Sequence, residues 1–323
     1  MGPIAGCAGF AREDRVASLP ACLGLTSFGQ SAPGSLAVGR SFTLGCHNCR
    51  VRRTSLTSAI VLVGGVLGAR LLLRRQAAVA RRLIGKPLGE EALDADKKYK
   101  KKYGATLDLL LVGDSIAAGL GAELPKETLG ARLATRLAKA THRTVRLRTV
   151  ARVGSESSML AAQLATLPAS YRPDVAVIVV GGNDVTHRVP VAESVRHLEA
   201  AIAALRDRGA AVVVGTCPDL GALRPVPQPL RALGSRASRQ LAQAQGVAAV
   251  RAGAHAVSLA HVVGPFFITN PDEMFSLDRF HPSATGYKRT AKALLPSLLA
   301  ALGLDGELPF GHRRPERLDA EAR

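Results

Sequence analysis

The distribution of apolar residues predicts alternating strands and helices from residue 106 onward. Five short apolar runs have the length and composition of strands, and the third is entirely apolar and rich in valine, as in a strand covered on both faces. These runs are Leu107–Val112, Val145–Val150, Val175–Val180, Ala211–Gly215 and Val247–Val250. Helical patterns lie between or after them, at Ala131–Ala140, Ser158–Leu167, Val191–Arg208, Leu230–Gln245 and Ser283–Leu302. The alternation predicts an α/β domain with a parallel sheet of about five strands and helices on both faces.

The composition of the remaining segments predicts further regions around this domain. The predicted regions are a disordered or mis-started segment at 1–55, a hydrophobic membrane-anchor candidate at 56–73, a basic linker at 74–103, the main domain at 104–303 and a polar tail at 304–323. The segment 1–55 has no steady helical or strand period, and a natural start of translation near Val51 is one interpretation of it. The apolar run at 56–73 is near the lower length limit for a membrane-spanning helix.

The charge and the low aromatic content narrow the choice of partners. The chain of 323 residues has a net charge of +18, and 4% of its residues are aromatic. Single-stranded nucleic acid is bound by aromatic side chains beside basic groups, so no nucleic-acid partner is expected. The basic cluster at 97–102 predicts contact with a membrane or anionic lipid surface, with a solvated spacer as the alternative. The side of the membrane is not predicted, because arginines flank both ends of the apolar run.

Two short motifs do not predict a site of their own. Cys46 and Cys49 form a CxxC pair, but the other N-terminal cysteines lie too far upstream to complete a zinc site. Gly119-Leu120-Gly121 is similar to the start of a dinucleotide-binding fingerprint, but Leu124 stands where the third glycine belongs. The cysteine Cys217 is isolated in the main domain and is expected to be a small buried residue.

The predicted strand ends and the loop before the last helix carry the residues suited to acyl transfer. Ser115 follows the first strand, and Asp278 and His281 precede the last helix. A serine hydroxyl needs a base to take its proton, and a histidine oriented by a carboxylate supplies one. The spacing of three residues between Asp278 and His281 lets one short turn present both side chains. The sequence therefore predicts a catalytic Ser-His-Asp triad.

The same edge of the sheet holds candidates for an oxyanion hole. Gly154 follows the second strand and Asn183 follows the third. The backbone N–H groups of Ser115 and Gly154 and the side-chain amide of Asn183 would supply three donors to a tetrahedral intermediate. No cluster of His, Cys and Asp completes a metal shell, so no metal is predicted.

These residues, taken in order, resemble the SGNH (GDSL-type) hydrolases, a family named for Ser, Gly, Asn and His in four separated blocks. Gly113-Asp114-Ser115 is similar to the first block, with Ile116 where the GDSL motif has Leu. Gly154 resembles the glycine of the second block, Gly181-x-Asn183-Asp184 the third block, and Asp278-x-x-His281 with the following Pro282–Tyr287 the last. The resemblance implies a flavodoxin-like three-layer α/β/α sandwich over about residues 104–303. It also implies cofactor-free ester hydrolysis, with Gly113, Asp114, Gly181 and Asp184 supporting the catalytic groups.

The residues leave the substrate and the oligomeric state open. The first hypothesis is serine-dependent hydrolysis of lipid-like or small acyl esters through an acyl-enzyme intermediate. Removal of O-acetyl groups from carbohydrates needs the same chemistry and is the alternative enzyme function. A non-catalytic binding protein that retains the fold is the alternative from a different class, because a fold alone does not fix a function.

Overall fold

The computed structural model describes residues 47–85, 89–304 and 306–316, with backbone only for 47–57, 59 and 60. The chain divides into two compact units, Met1–Thr57 and Ser58–Arg323, and the second contains the sheet. Most of the segment predicted to be disordered, 1–46, lies outside the described residues, as do Cys46 and the cysteines before it.

The sheet of the second unit has seven strands in the described residues. The strands are β1 Lys98–Tyr99, β2 Thr106–Gly113, β3 Thr144–Thr149, β4 Val175–Val179, β5 Ala211–Gly215, β6 His255–Val257 and β7 His312–Arg313. Their order across the sheet is β1-β3-β2-β4-β5-β6-β7. The five central strands are parallel, and the two short strands at the edges are antiparallel to their neighbours. The predicted parallel sheet is confirmed, and two edge strands extend it.

Helices cover both faces of the sheet. The helices in the described part of the chain, not all of which pack on the sheet, are α1 His47–Ile84, α2 Ser115–Ala118, α3 Leu129–Thr141, α4 Leu160–Ala165, α5 Gly182–His187, α6 Val191–Asp207, α7 Leu230–Arg251, α8 Leu259–Val262, α9 Gly264–Thr269, α10 Pro271–Met274 and α11 Ala284–Ala301. Strand β2 is apolar on both sides, and its leucines alternate between the two cores. Leu109 and Leu111 pack with α3 and α11, whereas Leu110 and Val112 pack with α4 and α6. The fold is therefore the predicted three-layer α/β/α sandwich.

One strand prediction was wrong. Val247–Val250 is the last turn of α7, and the fifth parallel strand is β6, a few residues further on. Ala248 and Ala249 are fully buried and Val250 is half-buried against the core, whereas Val247 is 43% exposed, so the run has the burial of a helix with one face on the core. His255 opens β6 and interrupts the apolar pattern that would have marked it as a strand. A run of four residues is too short for its period to distinguish a strand from a helix.

The edge strands come from the segments predicted as basic linker and polar tail. Tyr99 in β1 is buried in the core next to β3, and its hydroxyl donates a hydrogen bond to the carbonyl oxygen of Ala95 at 2.7 Å. Part of the basic cluster at 97–102 is thus ordered along the sheet edge. Strands of two residues are too short to give an alternating pattern, so sequence periodicity could not reveal β1 or β7.

The predicted membrane anchor, 56–73, lies within α1. In the part of the chain that the structure describes, no helix has the length and apolar character that a membrane crossing requires. A transmembrane helix is therefore not supported. Several side chains of α1 are nevertheless exposed and apolar: Val61, Leu62, Val63, Val66, Leu67, Leu71, Leu72, Val79 and Leu83. Within the second unit, the side-chain oxygen of Gln76 in α1 accepts a hydrogen bond from the Leu230 N–H at 3.0 Å.

The order of the strands places a crevice at the carboxyl end of β2. The chain leaves β2 to form β3 on one side of it, and then returns to form β4 on its other side. Ligands of open parallel sheets bind at such a switch point, outside the carboxyl ends of the strands. The residues that follow β2, β3 and β4 therefore surround one position.

Candidate active site

Ser115 stands at the sharp turn between β2 and α2. Strand β2 ends at Gly113, whose φ of +136° favours glycine, and an added Cβ there would collide with the Val179 carbonyl. Asp114 caps the short helix by accepting a hydrogen bond from the Ile116 N–H at 2.9 Å. As the first residue of α2, Ser115 is presented at the carboxyl edge of the sheet.

The loop between α10 and α11 brings the predicted base and acid to this serine. His281 Nε2 lies 2.9 Å from Ser115 Oγ, and His281 Nδ1 lies 2.6 Å from Asp278 Oδ2. Ser115 and His281 are separated by 166 residues in the chain. The structure thus places the three predicted residues in one hydrogen-bonded series, in the order that proton transfer from the serine requires.

Asp278 is held as a carboxylate by the loop that carries it. Its Oδ1 accepts hydrogen bonds from the Ser276 hydroxyl at 3.0 Å and from the N–H groups of Phe280 and His281 at 2.9 Å each. Burial by itself would raise the pKa of Asp278, but the hydrogen bonds from the His281 side chain and from these backbone groups outweigh it and lower the pKa to about 2. The carboxylate is therefore charged at neutral pH and can stabilise a protonated imidazole.

Asn183 lies in α5, directly after β4, and contacts the loop that follows β3. Its side-chain nitrogen donates a hydrogen bond to the carbonyl oxygen of Ser155 at 2.9 Å. Gly154 precedes Ser155 with a φ of +80°, and it is exposed. One N–H of the Asn183 amide is used by this bond, which fixes the plane of the amide and leaves the other N–H for a ligand.

The two supporting aspartates are buried and bind backbone or hydroxyl groups around the site. Asp184 accepts hydrogen bonds from the Ser157 N–H at 3.1 Å and from the Ser194 hydroxyl at 2.7 Å. Burial raises the pKa of Asp114 to about 6, against the opposing effects of the N–H groups of Ile116 and Gly182 and the nearby His281. Because its carboxyl group accepts hydrogen bonds from the N–H groups of both Ile116 and Gly182, Asp114 joins the turn that carries Ser115 to the start of α5.

Comparison with known proteins decides the family. A family model described as the GDSL-like Lipase/Acylhydrolase family matches residues 111–289. The GDSL-like esterase Rv1075c of Mycobacterium tuberculosis is 39% identical over 262 residues, which cover 78% of this chain and 83% of that protein. The chain belongs to the GDSL-like lipase/acylhydrolase family. It is an ester hydrolase, and the alternative of a non-catalytic binding protein is not supported.

Solved structures resemble this esterase as well. The structure of TesA is 26% identical, covers 60% of this chain and 99% of its own, and has a TM-score of 0.49. The lipase/acylhydrolase from Enterococcus faecalis is 20% identical, covers 62% of this chain and 100% of its own, and has a TM-score of 0.47. A catalytic mutant of Axe2, an acetylxylan esterase from Geobacillus stearothermophilus, is 19% identical with a TM-score of 0.48 and covers 62% of this chain and 96% of its own.

Ser115, Asn183 and His281 of the esterase line one cleft of about 770 Å³, counting its open mouth. Most of its wall is apolar and comes from the loop after β5 and from the segment between β6 and α11. The apolar lining includes Ile116, Leu220, Leu223, Leu259, Val263, Phe267, Phe275 and Phe280.

The sequence did not reveal Gln163, which connects the serine turn to the loop after β3. Its side-chain oxygen accepts from the Gly113 N–H at 2.9 Å, and its nitrogen donates to the Gly113 carbonyl at 2.8 Å and to the Ser155 hydroxyl at 3.0 Å. Gln163 is almost completely buried in α4. The available signal was a glutamine on the apolar side of a short helix, because such a side chain is buried only when its hydrogen bonds are satisfied.

Proposed function

We propose that Ser115 is the nucleophile of this esterase, with His281 as its general base and Asp278 as the carboxylate that orients the base. The observation that carries the proposal is the unbroken series of hydrogen-bond distances from Ser115 Oγ through His281 to Asp278. The bond at Nδ1 fixes the tautomer, so that Nε2 is unprotonated and faces the serine hydroxyl.

In the acylation step, Ser115 Oγ attacks the carbonyl carbon of the ester while its proton passes to His281 Nε2. The tetrahedral intermediate collapses with breakage of the bond to the leaving alcohol oxygen. That oxygen takes the proton from His281, and the acyl group remains on Ser115 as an ester. The charged Asp278 stabilises His281 while it holds two protons.

Deacylation repeats these steps with water. A water molecule gives a proton to His281 Nε2 as its oxygen attacks the acyl carbon. The bond between the acyl carbon and Ser115 Oγ then breaks, and Ser115 recovers the proton from His281. The products are a carboxylic acid and a regenerated enzyme, and no cofactor takes part.

The oxyanion of each intermediate is assigned to the N–H groups of Ser115 and Gly154 and to the free N–H of the Asn183 side chain. The bond from Asn183 to Ser155 and the bonds from Gln163 to Gly113 and to Ser155 support this assignment, since they link the three donor segments. Preorganised donors stabilise charge as it develops, without a cost of reorientation during the reaction.

The proposed substrate is an ester whose acyl part is apolar. The cleft beside Ser115 is lined by three phenylalanines, Phe267, Phe275 and Phe280, and by leucine and valine side chains. Such a wall favours a hydrocarbon chain over the hydroxyl groups of a sugar, because each buried methylene contributes ~0.8 kcal/mol. Carbohydrate O-acetyl esterase activity remains the alternative, and it predicts that acetate esters are preferred.

Contact with a membrane or anionic lipid surface stays a prediction. It is supported by the exposed valines and leucines of α1 and by the arginines between them, Arg70, Arg74 and Arg75. Exposed apolar side chains together with positive charge favour the interface of an anionic bilayer. A lipid-like substrate would be available at that interface.

The proposal is tested by labelling with a fluorophosphonate probe, which reacts with an activated serine. We expect the wild-type chain to be labelled on the peptide that contains Ser115, and Ser115→Ala to remain unlabelled. Ser258→Ala is the matched control, because Ser258 also lies within hydrogen-bond distance of a histidine, 2.8 Å from His261 Nδ1. Labelling of folded Ser115→Ala at the wild-type rate would overturn the proposal.

A further inference from the structure

The turn Gly119-Leu120-Gly121, which follows the serine helix α2, lies against the loop that carries His281. Gly121 has a φ of +106°, and its Cα faces the catalytic loop directly. A Cβ added to Gly121 would lie 2.9 Å from His281 Cβ and would collide with the Pro282 carbonyl oxygen. The contact therefore requires glycine for two reasons, the backbone conformation and the lack of space.

Hydrogen bonds within the catalytic loop fix its internal shape, but its position relative to Ser115 depends on a contact from outside the loop. The Ser276 N–H donates to the His281 carbonyl at 2.8 Å, and the Ser276 hydroxyl donates to Asp278. These bonds fix Asp278 relative to His281. They do not fix the loop relative to Ser115, whose segment is far away in the chain. The Gly121 turn is three residues beyond α2 and touches the loop at His281 and Pro282, so it sets that separation.

Tyr287 holds the same turn from the other side. It is fully buried in the first turn of α11, six residues after His281, and its hydroxyl donates a hydrogen bond to the Leu120 carbonyl at 2.6 Å. Burial raises the pKa of Tyr287 well above its usual range, so the hydroxyl keeps its proton and remains a donor. The helix that follows the catalytic loop is thus bonded to the turn that follows the nucleophile.

We infer that Gly121 and Tyr287 are positioning residues of the esterase: they hold the loop of His281 at its hydrogen-bond distance from Ser115. The inference rests on the proposed roles of Ser115 and His281. It gives Gly121 a role in ester hydrolysis rather than in nucleotide binding. A displacement of about 1 Å between reacting groups can cost 10²-fold in rate, so the packing of this turn controls turnover.

The first test compares Gly121→Ala with Gly209→Ala. Gly209 has a similar positive φ, +82°, but an added Cβ there meets nothing within 4 Å, so its variant reproduces the backbone strain without the collision. We expect Gly121→Ala to lower kcat by about 10²-fold with little change in KM, and to slow fluorophosphonate labelling of Ser115 in proportion. Gly209→Ala should keep the wild-type kcat and labelling rate.

The second test removes only the hydrogen bond, in case Gly121→Ala fails to fold. Tyr287→Phe keeps the ring, and Tyr99→Phe is its matched control, since the Tyr99 hydroxyl also donates to a backbone carbonyl, at 2.7 Å, in a buried place at the sheet edge. Both variants should lose similar stability in urea. Only Tyr287→Phe should lower kcat, by about fivefold, and slow the labelling of Ser115.

Each outcome has one meaning. If Gly121→Ala and Tyr287→Phe match their controls in kcat per labelled active site, the two residues are structural and the inference is wrong. If folded Ser115→Ala retains hydrolysis, the proposed function itself is wrong, whatever the positioning variants show. A loss of kcat in both positioning variants, beside inactive Ser115→Ala and unaffected controls, supports the inference.

Discussion

At the scale of single residues, the site is held together by buried polar side chains that bond to backbone groups. Gln163 bonds both backbone groups of Gly113, and Asp278 accepts three hydrogen bonds on the oxygen that is not bonded to the His281 ring. Leaving such a group unsatisfied in the interior costs ~1–3 kcal/mol, so these bonds fix the geometry as well as stabilise it. Only a few atoms take part in the reaction, and many hydrogen bonds from the surrounding residues fix their positions.

The assignment of Asn183 to the oxyanion hole predicts a loss of turnover in Asn183→Ala. We expect kcat to fall by ~10²–10³-fold, because one donor to the developing oxyanion is removed. The measurement is steady-state hydrolysis of p-nitrophenyl octanoate, with Asn270→Ala, a variant at an exposed asparagine, as the control. Unchanged turnover in a folded Asn183→Ala protein would remove Asn183 from the oxyanion hole.

At the scale of elements, the short helices between β6 and α11 build the wall of the acyl site. Helix α9 contributes Phe267, whose ring packs edge-on against Phe275 with centroids 4.9 Å apart. The neighbouring Phe266 does not line the cleft, and its ring lies under the Arg289 guanidinium at 4.3 Å. Adjacent phenylalanines of one helix thus face different surroundings, which allows the contribution of the wall to be measured.

The apolar wall predicts a preference for longer acyl chains. The kcat/KM of the wild type should rise from p-nitrophenyl acetate to octanoate, by about fourfold for each methylene that the cleft buries. Phe267→Ala should reduce the octanoate-to-acetate ratio roughly tenfold, whereas Phe266→Ala should leave it unchanged. A wild type that prefers acetate would instead favour the carbohydrate O-acetyl esterase alternative.

The sequence predicted the strands and helices that are long enough to show a repeating apolar pattern. It did not predict the short strands β1, β6 and β7. Four parallel strands and the long helices follow from apolar periodicity. The ordered set of Ser115, Asn183, Asp278 and His281 follows from the strand ends and from the loop before the last helix, which carry them. The fifth strand was misplaced because His255 opens it. The contact of Gly121 with His281 joins residues 160 positions apart, and no local pattern encodes such a contact.

At the scale of the whole molecule, the sheet brings distant segments to one edge and buries charged groups there. Asp278 and Asp114 lie in one site, yet their environments change their pKa values in opposite directions, to about 2 and about 6. A carboxyl whose pKa is lowered by folding stabilises the fold above its unfolded pKa, and that stability is lost as the pH falls. A carboxyl whose pKa is raised has the opposite effect, and stability falls as the pH rises.

These shifts predict two separate pH windows for stability. Between about pH 4 and pH 2, the wild type should lose stability relative to Asp278→Asn, as Asp278 is protonated. Between about pH 4 and pH 6, it should lose stability relative to Asp114→Asn, as the buried Asp114 is forced to ionise. Each change should be on the order of 2 kcal/mol in urea unfolding. Parallel stability curves for wild type and variants across a window would contradict the assigned shift.

The role of Ser115 in hydrolysis is tested by the turnover of p-nitrophenyl octanoate by wild type, Ser115→Ala and Ser258→Ala. All three proteins should show the same folded state by circular dichroism before the comparison. The assignment of Ser115 as the nucleophile predicts rapid hydrolysis by wild type and Ser258→Ala, and a loss of roughly 10⁴-fold or more in kcat for Ser115→Ala. Hydrolysis by folded Ser115→Ala within tenfold of the wild-type rate would contradict it.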